Sequence, residues 1–138
     1  MDFDSEHIEA SLMRISRMSG SAGVVDTILH TIGDLTAALA PVIGSRGVAA
    51  LYARSVHIAR RAHTWLPDES ESSTEGWKVL RSTLTEHRDT ENAAAAVAIL
   101  TSFNALLVSL IGSALATRLL AHVTLVAPTE NSEQQTSP

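Results

Sequence analysis

From Asn92 to Thr117 the chain reads NAAAAVAILTSFNALLVSLIGSALAT, a run of 26 residues without a single charge. Only two kinds of structure hold such a run: a span in lipid, or a helix whose sides are covered by other protein. Length alone permits the first, because about 20 apolar residues cross a bilayer. Composition argues for the second. The opening residues are Asn and Ala, so the strongly apolar part is confined to 97–115. Asn104 sits near its centre with Thr101, Ser102, Ser109 and Ser113, and polar side chains are costly in hydrocarbon. Neither end carries Trp or Tyr as an interfacial anchor. Laid on a helix, the residues also separate by face. Leu100, Phe103, Leu107, Leu110, Ala114 and Leu115 form a bulky side. Ser102, Ala105, Ser109, Gly112 and Ala116, with Ala98, form a narrow seam of small residues. A helix packed on two sides needs that division, and a second copy of the chain would supply cover that three or four short helices cannot. A span through about 93–117 remains the competing reading.

The rest of the chain is helical by pattern. It has no Cys, few aromatics, and an apolar content dominated by Ala, Leu, Val and Ile, which favours helix. Ile8, Leu12 and Ile15 mark a first short helix that ends at the SGSAG of 19–23. Val25, Ile28, Leu29, Ile32, Leu35 and Leu39 mark a second, with Pro41 expected to end or kink it and Gly44 to stop it. Ser45 would cap a third helix over 46–66, closed by Pro67 and the acidic loop DESESST. A fourth is expected over 75–87, and a last one, capped by Asp89 or Thr90, from there to about Val126. The fold class is therefore all-α: a four- to five-helix bundle with a long, nearly uncharged C-terminal helix, as one domain over 1–127. The polar tail 128–138 reads as disordered. Ile43-Gly44-Ser45 recurs as Ile111-Gly112-Ser113, and Ala37, Leu39, Leu51 and Ala53 match Ala105, Leu107, Leu119 and Ala121 at the same offset. An Ala/Leu-rich chain produces such agreement easily, so the echo by itself decides nothing.

Chemistry is harder to find. No two of His7, His30, His57, His63, His87 and His122 stand at i, i+4, and no Glu-x-x-His motif occurs, so neither a metal nor a cofactor is expected. Carboxylates gather at the ends and in loops, where solvation explains them, and no strand–turn–helix elbow presents a serine. The segment VHIARRAH resembles the H-x-x-K-G box of histidine phosphotransfer domains. The resemblance implies a phosphoryl acceptor at His57 steadied by a neighbouring cation. Arg60 stands in place of the Lys, however, and Arg61 stands where the Gly would leave room for a partner. LHTIGDLTAALAP is similar to the H-box of kinase dimerisation helices, with His30 and a later Pro41 but without the acid directly after the His. Arg46, Arg54, Arg60 and Arg61 could line a basic helix near Tyr52 and Trp65. The net charge of −5 nevertheless speaks against nucleic acid as a partner.

The reading that follows is a non-catalytic helical regulatory or protein–protein interaction module, working as a homodimer in bacterial signalling. The acidic start, MDFDSEHIEASL, lacks the basic and apolar regions of a secretion signal and points to the cytoplasm. The expected partner surface is Arg54, His57, Arg61, Trp65 and Trp77, because Arg and Trp are favoured at interfaces. The expected dimer seam is Ser102, Ala105, Ser109, Gly112 and Ala116. Histidine phosphotransfer through His57 is the alternative, and a membrane-anchored protein is the third.

Overall fold

The structure, a computed structural model, describes residues 4–67 and 74–123, with side chains omitted for 74–78. Among the described residues the elements are α1 (Ser5–Ala59), α2 (Thr74–Thr85), α3 (Asp89–Ile111) and α4 (Ser113–Leu119), with no strand. The chain is all-α. The last helix expected from the sequence, the acidic loop DESESST and the tail 128–138 fall partly or wholly outside the described residues.

α1 is continuous in name only. Gly20 (φ 73°, ψ −169°) and Gly44 (φ 81°, ψ 155°) leave the helical region and divide it into segments 5–19, 21–43 and 45–59. Gly112 (φ 90°, ψ 155°) separates α3 from α4 in the same way. This backbone region is open essentially to glycine alone, since a Cβ there meets its own backbone. Three expectations are corrected by these breaks. The uncharged stretch is two helices, not one running to Val126. SGSAG interrupts the helix at Gly20 only, and helix resumes at Ser21. Pro41 does not end its helix; it lies on an exposed position, and the carbonyl it leaves without an amide, that of exposed Ala37, can be hydrated. The third expected helix also stops early. After Ala59 the chain winds through a turn in which Ala62 and His63 amides donate to the Ala59 carbonyl at 3.1 and 3.0 Å. That turn brings Leu66 into the core, 2% exposed.

The start of α3 differs as well. Arg88, not Asp89 or Thr90, is the capping residue, and its amide donates to the Glu91 carboxylate at 3.2 Å. Asp89 is already helical, and its Oδ2 accepts from the Ser16 hydroxyl. Arg81 of α2 pairs with Asp26 at 2.7 Å. These two contacts bring the starting ends of segment 21–43 and of α3 to one end of the molecule. Segment 45–59 runs back to that end, because Trp65, just beyond it, lies against His87.

The Ile-Gly-Ser echo is structural. Both glycines share nearly the same φ and ψ, and both follow a 23-residue helical stretch, 21–43 in one case and 89–111 in the other. At an offset of 68, residues 24–46 and 92–114 are buried, half-buried and exposed at matching positions, except that Gly33 is exposed where Thr101 is half-buried. The pairs Ile32/Leu100, Leu35/Phe103 and Leu39/Leu107 supply corresponding parts of one core. Leu12 and Leu80 do the same for the preceding helices, and Tyr52 and Leu120 for the following ones. The molecule is thus two helix–long helix–helix units that share a single apolar interior.

Buried hydroxyls inside these helices bond to their own preceding turn. Thr31 donates to the Thr27 carbonyl at 2.8 Å, Thr27 to that of Gly23 at 2.7 Å, and Ser55 to that of Leu51 at 2.7 Å. Their burial therefore needs no partner from a neighbouring helix.

Gly44 and Gly112 have no atom within 4 Å of the place a Cβ would take, and neither has Gly33, which is helical and exposed. Space is equal at all three, so conformation alone distinguishes them. Gly44→Ala and Gly112→Ala should each lower stability by about 1–3 kcal/mol in urea unfolding. Gly33→Ala should raise it by about 0.5–1 kcal/mol.

Candidate functional site

The residues singled out by sequence fall into two places. On segment 45–59, Arg54 and His57 are exposed, and Arg61 is exposed in the turn that follows. Arg60 is turned away from this row, its Nε donating to the Leu66 carbonyl at 3.0 Å. The helix ends at Ala59, two residues after His57. The cation that a phosphohistidine box would place one turn beyond the histidine is therefore committed to closing the turn. His30 pairs with Asp34 one turn on, Nε2 to Oδ2 at 3.3 Å.

Trp65 belongs to a different feature. It is half-buried, and its ring stacks on that of His87 with centroids 3.8 Å apart and planes 19° from parallel. His63 approaches the same indole edge-on at 6.3 Å and 75°. His87 Nδ1 lies 2.8 Å from the Thr83 carbonyl. A carbonyl only accepts, so Nδ1 carries the proton. This contact and the main chain bonds from Glu86 and His87 close the end of α2. No spacing rule links positions 63, 65 and 87, which meet only through the turn after Ala59. The side chain of Trp77 lies outside the described residues.

Asn92, the first residue of the uncharged stretch, is fully buried. Its Nδ2 donates to the Leu84 carbonyl at 2.8 Å and lies 3.5 Å from that of His87. It caps α2 from within α3 and fixes the tight connection between them. Among the described residues no three His, Asp or Glu side chains converge as a metal site would require.

The seam residues lie on the outer side of α3. Ala105, Ser109 and Gly112 are exposed and Ser102 is half-buried, whereas Ala116 is beyond the break, buried in α4. Leu100, Phe103 and Leu107 face the core, but Leu110 is 60% exposed and Leu115 37%. Asn104 is half-buried. Both Ser5–Ala59 and Asp89–Ile111 contain a window apolar enough to cross a membrane. Only 22% and 33% of those windows is fully buried; in α3 most of the remainder is half-buried, and Ala105, Ser109 and Leu110 are exposed.

The paired architecture makes that openness informative. Asp26, His30 and Asp34 on segment 21–43 correspond to Ala94, Ala98 and Ser102 on α3, and all six are half-buried. Ala37, Pro41 and Val42 correspond to Ala105, Ser109 and Leu110, all exposed. Segment 21–43 carries charge along this side at Asp26 and Asp34; beyond the acidic first turn of α3, the matching side from Asn92 onward carries none.

No known protein family, curated protein or solved structure matches the chain.

Two measurements test this site. Asn92→Ala should cost about 0.5–1.5 kcal/mol, because it removes one hydrogen bond to the Leu84 carbonyl, which keeps its donor from the His87 amide. A double-mutant cycle between Trp65→Ala and His87→Ala should return a coupling of about 0.5–1.5 kcal/mol, and a value near zero would exclude the stack.

Proposed function

We propose that the chain is a non-catalytic helical interaction module that works as a homodimer in the cytoplasm, pairing through the outer face of α3. The observation that carries this reading is the difference between the two long helices. Where the fold tolerates Asp26, His30 and Asp34 in one unit, it holds Ala94, Ala98 and Ser102 in the other. A face in permanent contact with water gains nothing by losing its charges, whereas a face that meets another helix does, since a buried unpaired charge is costly. The small side chains of Ala98, Ser102, Ala105 and Ser109 recur at intervals of four, three and four, which lets two helices approach closely. A copy of the same face is uncharged and small in the same places, so it is self-complementary.

A second reading has its own support. α3 has an apolar window of which two thirds is not buried, and lipid would cover it as well as protein. The charged outer side of segment 21–43 and the exposed Arg81–Asp26 pair favour water around the bundle as a whole.

The two units provide a matched control. Ala105→Glu introduces charge on the proposed interface, and Ala37→Glu introduces the same charge at the corresponding exposed position of the other unit. Light scattering across a concentration range should give a dimer for the native chain and for Ala37→Glu, and a monomer for Ala105→Glu. A native monomer at all concentrations would refute pairing. A dimer unaffected by Ala105→Glu would move the interface elsewhere. Co-flotation of the native chain with phosphatidylcholine vesicles would favour the lipid reading.

A further inference from the structure

Between Asp34 and Asp68 the sequence contains four arginines and no acidic residue, in a chain whose net charge is −5. The fold puts most of that positive charge in one line. Arg46, Ala50, Arg54, His57 and Arg61 are all exposed, and their spacings of four, four, three and four keep them on one side of segment 45–59 and its following turn. Among the described residues none of Arg46, Arg54, His57 and Arg61 pairs with a carboxylate. The line is about 22 Å long, at 1.5 Å per helical residue.

From this we infer that the outer side of segment 45–59 is a docking surface for an acidic helix of a partner protein. Charge complementarity selects the partner. Guanidinium groups about two turns apart match carboxylates at i, i+8 and i+15 on a facing helix, and each can engage a carboxylate through two parallel N–H donors. The other polyanions fit less well. A nucleic acid is long, and it would bring its phosphates against the acidic remainder of the molecule, which repels them. An anionic membrane surface holds helices whose charged row is bordered by large apolar side chains free to insert, whereas Leu51 and Ile58 beside this row are half-buried, Leu51 against the core. The row lies on a different element from the outer face of α3, so the inference stands whether or not the chain pairs through that helix.

The test uses the full chain and an 18-residue Glu/Ala peptide with glutamates at i, i+4 spacing, labelled for fluorescence anisotropy. The peptide should bind at low salt and lose affinity as salt rises. The double charge swap Arg54→Glu with Arg61→Glu should weaken it about ten-fold or more. Arg14→Glu with Arg17→Glu changes net charge equally on exposed positions of segment 5–19 and should change binding less than about three-fold. Circular dichroism of both swaps checks that they fold. Equal loss in the two swaps, absence of peptide binding, or tighter binding to a 20-nucleotide thymidine oligomer or to phosphatidylserine vesicles would each overturn the assignment.

Discussion

The architecture depends on three residues that reverse the chain without a loop. A helix of 23 residues spans about 34 Å, and each long helix of this protein must be followed at once by one that returns along it. Gly44 and Gly112 accomplish this within a single residue by adopting a backbone conformation closed to side chains, and Gly20 joins segment 5–19 to the first long helix in the same conformation. Everything downstream follows from that economy. The returning segments place Tyr52 and Leu120 against the long helices, and one shared interior forms from two units of three helices. With ordinary loops of several residues, a chain of this length would have less helix with which to enclose that interior.

Much of the fold was legible in sequence because helix periodicity survives in short windows. The apolar positions Ile8, Leu12, Ile15, Val25, Ile28, Ile32, Leu35 and Leu39 are all buried as their spacing requires. The termini were less legible. Pro41 is a strong breaker in isolation, yet it is tolerated on an exposed side where its missing hydrogen bond costs little. Gly112 looked like one more small residue in a seam, because a positive φ leaves no trace in composition. The recurrence of Ile-Gly-Ser was visible, but identity at a few positions of an Ala/Leu-rich chain is weak. Matching burial along 24–46 and 92–114 is far more restrictive, and only coordinates supply it.

The candidate surfaces divide in the same manner. The basic row could be read from helical spacing, since exposure and position follow from a single helix. The ring contacts of Trp65 could not, because His87 reaches it from beyond α2 and His63 from within the turn that replaces the expected end of the third helix. Asn92 was equally opaque. In sequence it begins an uncharged run; in the fold it is the buried donor that fastens α2 to α3.

The contacts described here that tie one segment to another by direction gather at a single end. Ser16 with Asp89, Arg81 with Asp26, Asn92 with Leu84 and Trp65 with His87 all lie where the long helices begin. Hydroxyls farther along, such as those of Thr31 and Thr101, are spent on their own helices. Toward Gly44 and Gly112 the helices are held chiefly by apolar packing, which resists separation but opposes sliding only weakly. The directional contacts thus fasten the helices like a rivet at one end. The opposite end carries exposed Val42 and Leu110, and opening there separates apolar contacts while leaving all four of these directional contacts in place.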